Sequence, residues 1–337
     1  MKIVVFSTRF YEPDQFNAHN SGNKLEFIFS ESRLDAKTAE LATGADAISI
    51  SMHDFIDSTL MQTLAKMGVS AIALRCAGYD NVDLDAAAKW DIKVMRVPAY
   101  SPQSVAEHAV ALIMALNRKT HKAYNRTRNN DFSLNHLMGF DLYGKTVGIV
   151  GAGKIGSAFA RIMLGFGCKV IAFDIAESED LKARGVSYCS FETLLSTSDI
   201  ISIHCPLTDA TYHLFNKKSY KMMKPGTMLI NTARGSVIST LDTLAALKEK
   251  QLGYLGMDVY EWETGIFHTD YSADIVKDDF LEILLSYSNV IVTPHQAFFT
   301  QEAVTEICRT TIENLTAVQQ QQPMINEIKT RRHSYLL

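Results

Sequence analysis

Lys145-Thr-Val-Gly-Ile-Val-Gly-Ala-Gly-Lys-Ile-Gly156 is the stretch whose reading decides the fold of this chain. A short apolar strand over 146–150 runs into a glycine turn, and an apolar helix follows over 154–165. A second strand over 169–173 ends at Asp174. The three glycines have separate physical reasons. Gly151 permits a tight turn, Gly153 lets backbone approach a pyrophosphate, and Gly156 lets the helix pack close to the sheet. The helix N-terminus adds N–H donors and the positive end of a dipole. Asp174 lies 18 residues beyond Gly156, near the ~20-residue spacing of an acid that accepts hydrogen bonds from an adenosine ribose. Strand, glycine turn, helix and acid together specify a dinucleotide. A carboxylate at 174 repels the 2′-phosphate of NADP, and Ile175 rather than Arg follows, so NAD is the expected cofactor. The plainer reading of Asp174 is a cap on the turn that follows it.

Outward from this stretch, 337 residues suggest about two domains, each able to bury a core. Hydrophobic residues make up 47% and charged residues 21%, as in an ordinary globular protein. A net charge of −4 offers no basic field for nucleic acid or an anionic membrane. Arg126-Thr-Arg128 and Arg331-Arg332 read as solvated surface. No apolar run is long enough to span a bilayer, and the N-terminus enters a strand directly, without the pattern of a signal peptide. The five cysteines (Cys76, Cys168, Cys189, Cys205, Cys308) are scattered without metal spacing. They read as reduced, buried small hydrophobes in a cytoplasmic protein, and no metal is expected.

The first hundred residues alternate strands (2–7, 25–29, 47–51, 71–75, 93–96) with helical stretches, clearest at 58–67 and 84–90. This alternation argues for a doubly wound parallel sheet without a glycine fingerprint of its own. After Pro98-Ala-Tyr-Ser-Pro102 comes a long apolar helix, expected from about 103 to 124. Strands are then expected near 199–204, 227–231, 254–259 and 290–293. A last helix from 302 to about 318 is expected to cross back to the first domain. The fold class is therefore α/β with two doubly wound parallel-sheet domains, a Rossmann NAD domain and a flavodoxin-like discontinuous catalytic domain, and a cleft between them. The expected boundaries are 1–100 with 299–337 for the catalytic domain and 101–298 for the NAD-binding domain.

Several polar motifs close these strands, where ligands bind in open α/β sheets. Asn231-Thr-Ala-Arg-Gly235 presents an Arg that can clamp a carboxylate bidentately, against the plainer reading of a surface ion pair. Gly256-Met-Asp-Val-Tyr-Glu-Trp-Glu263 supplies Asp258, Glu261 and Glu263, of which at least one faces the cleft. Thr293-Pro-His295 closes an apolar strand with a histidine. These are the parts for hydride transfer to a 2-oxo acid. Arg234 holds the carboxylate, His295 protonates the ketone oxygen, and a glutamate, either Glu261 or Glu263, orients the imidazole. His204 and Trp262 have bland readings, the first oriented toward backbone or solvent and the second packed at a domain or subunit interface.

With these residues in view, the chain resembles the D-isomer-specific 2-hydroxyacid dehydrogenase family. The matching segments are Arg75-Cys-Ala-Gly-Tyr-Asp-Asn-Val-Asp-Leu84, Val97-Pro-Ala-Tyr-Ser-Pro102, Val105-Ala-Glu-His108, the glycine loop, His204-Cys-Pro-Leu-Thr208, Asn231-Thr-Ala-Arg-Gly235, Met257-Asp-Val-Tyr-Glu261 and Thr293-Pro-His-Gln-Ala-Phe298. They cover positions 75 to 300 in the family's order. The resemblance implies a catalytic set of Arg234, Glu263 and His295, choosing Glu263 over Glu261. It implies cofactor binding by Gly151, Gly153, Lys154, Ile155, Gly156, Asp174, Cys205, Pro206, Asp258 and the backbone of Thr232, Ala233 and Arg234. It implies substrate binding by Cys76, Ala77, Gly78, Tyr100, Arg234 and Phe298. Thr211 stands where close relatives tend to carry Asn near the cofactor. The resemblance also implies a homo-oligomer, dimer or tetramer, with the 103–124 helix as a candidate interface.

The expected reaction is NADH-dependent reduction of a small 2-oxo acid to the D-2-hydroxy acid, foremost pyruvate to D-lactate. Bulkier 2-oxo acids, phenylpyruvate and 2-oxoisocaproate, are the alternative, decided by pocket residues such as Met52, Tyr100, Phe298 and Phe299. A third reading is an NAD(H)-sensing regulatory protein, against which the intact Arg, Glu and His set argues.

Overall fold

A computed structural model describes residues 1–22 and 25–328, so Arg331-Arg332 lies outside the described residues. The chain forms two compact units. One comprises Met1–Ser101 together with the described chain from Phe299 onward, and the other Pro102–Phe298.

The first unit holds five parallel strands, β1 (Lys2–Val5), β2 (Glu26–Phe29), β3 (Ala47–Ile50), β4 (Ala71–Leu74) and β5 (Lys93–Met95), in the order β2-β1-β3-β4-β5. This is the flavodoxin-like order. β3 (Ala-Ile-Ser-Ile) and β4 (Ala-Ile-Ala-Leu) are buried along their whole length. That is what a central parallel strand covered on both faces requires. One face is covered by the helix Gln301–Gln319, whose Val304, Cys308, Ile312 and Leu315 join Ile3, Val5, Ala47 and Ala71 in one core cluster. The spacing of four, four and three residues puts these side chains on one helical stripe.

The second unit holds seven parallel strands: β6 (Thr146–Val150), β7 (Lys169–Phe173), β8 (Ser187–Tyr188), β9 (Ile200–Ile203), β10 (Thr227–Asn231), β11 (Leu252–Met257) and β12 (Val290–Val292). Their order is β12-β11-β10-β9-β6-β7-β8, so the winding reverses between β6 and β9. The helix Lys154–Gly165 follows β6 directly.

The expected helix over 103–124 is two helices, Pro102–Arg118 and Thr120–Arg128. Lys119 between them takes a φ of +50°, which no α-helix propagates through. The first helix buries Val105, Ala106, Ala109, Leu112, Ile113 and Leu116, whereas the second buries nothing. The strand expected over 254–259 is Leu252–Met257 instead, because the chain turns at Asp258. The two-residue strand β8 and the helices Glu12–His19 and Asp279–Ser286 went unread in the sequence.

Candidate active site

The glycine loop sits at the topological switch point of the second unit, between the carboxyl ends of β6 and β9. Gly151 adopts φ +93°, and a Cβ there would lie 2.6 Å from the Cys205 nitrogen. A Cβ on Gly156 would lie 2.0 Å from the Gly151 carbonyl oxygen, so only glycine lets this helix start so close to the strand end. Gly153 caps the helix, and the space its Cβ would enter is open. Asp174 ends β7 and ties the loop down: its Oδ2 accepts from Ala152 N at 2.5 Å and its Oδ1 from Ala176 N at 3.0 Å. The carboxylate therefore caps its own turn and also braces the glycine loop. Among the described residues the buried Thr232 hydroxyl has no hydrogen-bond partner. An open space over Gly153, a helix N-terminus and an orphaned hydroxyl at the end of β10 fit a dinucleotide.

Cys205 is buried, which pushes its thiol up to about 11, and so it packs as a neutral apolar group. His204 was expected to face backbone or solvent; instead its ring packs 5.0 Å from Phe159, and its Nε2 lies 2.9 Å from the Ser202 hydroxyl. Desolvation pushes the imidazole down to about 3 and keeps it neutral. Trp262 packs edge-on against Tyr260 at 5.7 Å and beside Phe280 at 5.6 Å, inside its own unit. The Thr211 hydroxyl donates to Pro206 O at 2.6 Å and accepts from Thr208 N at 2.8 Å, closing the loop after β9.

His295 and Glu263 are in contact, with Nδ1 of the imidazole 2.7 Å from Oε1 of the carboxylate. The other carboxylate oxygen accepts from Tyr260 N at 2.9 Å, which holds Glu263 against its own loop. Glu261 points elsewhere, with its oxygens on His213 Nε2 at 2.5 Å and Thr240 N at 3.0 Å. Geometry thus separates two carboxylates that sequence reasoning alone left equivalent. His295 has a φ of +53°, a left-handed conformation that costs a residue with a Cβ roughly 1–2 kcal/mol.

The buried carboxylate of Asp258 holds that conformation. Its Oδ1 accepts from the Thr293 hydroxyl at 2.6 Å and Gln296 N at 2.9 Å, and its Oδ2 from Ala297 N at 2.8 Å. His108 reaches in from the helix Pro102–Arg118, its Nε2 3.0 Å from the Thr293 hydroxyl and 3.4 Å from Asp258 Oδ1. Asp258 is fully buried with both oxygens engaged, so it clamps the residues on either side of His295.

Arg234 occupies the turn after β10, the strand beside β11. Asn231 shapes this turn by donating from Nδ2 to Arg234 O at 2.9 Å and accepting at Oδ1 from Ala233 N at 3.0 Å. Gly235 lies so close to the Tyr260–Glu261 peptide that a Cβ would come within 2.1 Å of the Tyr260 carbonyl carbon. The Arg234 turn is thus pressed against the loop that carries Glu263. The half-buried guanidinium donates from Nη1 to Ala233 O at 2.8 Å. The ends of β10, β11 and β12, adjacent in the sheet, supply Arg234, the Asp258–Glu263 loop and His295.

The other expected site residues lie as follows. Cys76, Ala77 and Gly78 form the turn after β4, and Tyr100 is half-buried near the end of the first unit's leading segment. Phe298 is the last residue of the second unit, while Phe299 stacks on Tyr11 at 4.8 Å in the first. Lys154 and Pro206 are exposed, and Ile155 is half-buried. Sequence reasoning missed the clamp roles of Thr293, His108 and Asn231. A signal existed for His108: it stands in the stripe formed by Val105, Ala109 and Leu112, where an apolar residue is expected.

The family model for the D-isomer specific 2-hydroxyacid dehydrogenase NAD binding domain matches residues 110–297. A D-lactate dehydrogenase of Curvularia clavata is 46% identical over 338 residues, covering 99% of this chain and 97% of the relative. The apo structure of Escherichia coli D-lactate dehydrogenase superposes with a TM-score of 0.88 at 44% identity, covering 97% of this chain and all of that one. The pyruvate reductase of Chlamydomonas reinhardtii gives 0.90 at 44% identity over 97% and 98% of the two chains. The site geometry and this full-length similarity place the chain in the D-isomer-specific 2-hydroxyacid dehydrogenases, as an NAD-dependent enzyme of that family.

Proposed function

We propose that the protein reduces pyruvate to D-lactate with NADH. The observation that carries this reading is the Glu263–His295 contact at a strand end adjacent to the Arg234 turn, in a chain similar along its length to D-lactate dehydrogenases. NADH, when bound, supplies hydride to the carbonyl carbon. Gly151, Gly153, Lys154, Ile155 and Gly156 hold its pyrophosphate, Asp174 its ribose, and Cys205 and Pro206 line its adenine side. Asp258 and the backbone of Thr232, Ala233 and Arg234 border its nicotinamide.

Arg234 clamps the substrate carboxylate through a planar fork that a lysine cannot reproduce. On the substrate side, the turn Cys76–Gly78 offers backbone N–H groups to a carboxylate, Tyr100 a hydroxyl, and Phe298 an apolar wall. With Nδ1 engaged by Glu263, His295 delivers the proton on Nε2 to the ketone oxygen. The Glu263 contact fixes the ring so that Nε2 is the nitrogen presented to the substrate. In the reverse direction the same nitrogen accepts the alcohol proton. Arg234 and protonated His295 stabilise the developing alkoxide electrostatically.

We place the enzyme in the cytoplasm, a setting supported by five cysteines outside any disulfide, four of them buried. No helix among the described residues is long and apolar enough to cross a membrane. Self-association into a dimer or tetramer is supported by exposed apolar side chains concentrated at Phe132, Leu134, Met138 and Tyr143, each more than 70% exposed. These side chains are a second candidate beside the 103–124 region, in which Pro102–Arg118 buries one apolar face in its own core and Thr120–Arg128 buries nothing.

The test is NADH oxidation with pyruvate, phenylpyruvate and 2-oxoisocaproate, with chiral analysis of each product. Fastest turnover of pyruvate to D-lactate is expected. Preference for a bulkier acid refutes the substrate assignment. Tight NADH binding with no turnover of any acid refutes the catalytic reading.

A further inference from the structure

The turn after β4 has two faces with different chemistry. On one, neither the N–H of Ala77 nor that of Gly78 donates to an acceptor among the described residues. Consecutive unpaired N–H groups of this kind form a seat for an anion. On the other face, the Ala77 carbonyl oxygen accepts from Nη1 of Arg96 at 2.8 Å. The Arg96 guanidinium also lies over the Tyr79 ring, 5.1 Å from its centroid.

Arg96 is itself fastened to the fold. Its N–H donates to Asn326 O at 3.2 Å, and its carbonyl accepts from Asn314 Nδ2 at 3.0 Å. Asn326 Nδ2 in turn donates to Asn314 Oδ1 at 2.9 Å. The next residue, Val97, donates its N–H to Cys76 O at 3.2 Å. The turn is thus held at successive carbonyls, Cys76 and Ala77, while the N–H groups of Ala77 and Gly78 have no acceptor among the described residues.

We propose that Arg96 is a positioning residue for the substrate carboxylate, acting through the Ala77–Gly78 peptide. This deepens the reading of Cys76–Gly78 as a carboxylate seat and rests on it. The peptide is planar and trans, so the Ala77 C=O and the Gly78 N–H point in opposite directions, and pinning the first aims the second. A charged donor on the carbonyl also polarises the amide and strengthens its N–H as a donor. The guanidinium charge adds a favourable field for an anion. Arginine suits the position because one planar group donates to the carbonyl and stacks on Tyr79 together.

The experiment uses the full-length protein with Arg96→Met and Arg96→Lys. It reads kcat and KM for pyruvate, NADH affinity and melting temperature. Carboxylate binding made equally in ground and transition states appears in KM alone. The Met variant should therefore raise KM by ~10-fold or more, with kcat within about threefold and NADH affinity within about twofold. The Lys variant, which keeps a charged donor and loses the stack, should fall between it and the wild type. A structural staple would instead lower melting temperature, kcat and NADH affinity together. If the Met variant does not fold, the Lys variant decides, and an unchanged KM in it overturns the proposal. An unchanged KM in folded Arg96→Met also overturns it. Methyl pyruvate separates this failure from failure of the underlying reading. A wild type that strongly prefers the acid over the ester keeps carboxylate recognition, so an unchanged KM then counts against Arg96 alone, whereas equal use of both overturns carboxylate recognition and the positioning residue together.

Discussion

Replacing Thr293 with Val removes the one hydroxyl that donates to Asp258 Oδ1 while keeping the β-branched shape. The lost bond is short, 2.6 Å, and ends on a fully buried carboxylate. A hydrogen bond to a charged group contributes about 1.5–3 kcal/mol, and its loss leaves a buried acceptor short of a donor. The substitution also takes away the partner of His108 Nε2 at 3.0 Å. A loss of about 2 kcal/mol should lower the melting temperature by roughly 4–8 °C in a unit of this size. The same loss weakens the clamp that holds His295 at φ +53°, a conformation opposed by roughly 1–2 kcal/mol of intrinsic strain. If the whole loss appears in the loop equilibrium, kcat/KM falls by up to ~30-fold, since 1.36 kcal/mol is a factor of ten. NADH affinity should change little. Steady-state kinetics, fluorescence titration of NADH and thermal melting measure the three quantities. Thr293→Ser restores the hydroxyl and should recover most of the activity. A variant that melts several degrees early yet keeps full kcat/KM would falsify the link between the clamp and the orientation of His295. Unchanged melting and kinetics would show that the bond contributes nothing.

Four further outcomes are expected. His295→Ala should slow turnover by ~10²–10⁴-fold, the usual contribution of a general acid, with NADH titration nearly unchanged; an equal loss of NADH affinity would place the residue on the cofactor side. Asp174→Ala should relax the preference for NAD over NADP and also soften the glycine loop that it ties through Ala152; unchanged discrimination in parallel kinetics would assign that choice to another residue. Gly235→Ala should cost activity beyond its cost in stability, because its Cβ would push on the Tyr260–Glu261 peptide at 2.1 Å; an unperturbed KM and melting temperature would show that the two loops are not in firm contact. His204 is neutral in the fold with its pKa near 3 and regains an ordinary value near 6.5 on unfolding. The unfolded chain then binds the extra proton between about pH 6.5 and 3, so stability falls as pH drops through that window. His204→Gln should flatten the slope of melting temperature against pH there, and an identical slope would refute the assignment.

Much of the fold was legible because hydrophobic periodicity reports burial directly. β6, the helix after it, β7 and β10 fall on the expected residues. Each is an uninterrupted apolar run or helical stripe with a glycine, lysine or asparagine at its end. The helix after Pro102 was read too long because Lys119 carries no mark of a left-handed residue in its side chain; the break is a tertiary decision. β8 has only two residues, too few to carry a period.

The amino-acid sequence by itself determined the dinucleotide loop, the doubly wound class and the short roster of polar residues at strand ends. These depend on local requirements: φ at Gly151, backbone approach at Gly153 and Gly156, and apolar spacing. Reading the residues themselves left Glu261 and Glu263 equivalent, because both follow the end of β11 within six residues; the path of the chain puts Glu263 on His295 and Glu261 on His213. The tertiary structure also decided that Asp258 turns inward to hold the His295 loop, that His108 joins it from 185 residues before Thr293, and that Arg96 reaches the Ala77 carbonyl. Contacts of that sequence separation have no periodic trace in the chain, since they arise only when strand ends and helices are brought together by the burial of their apolar faces.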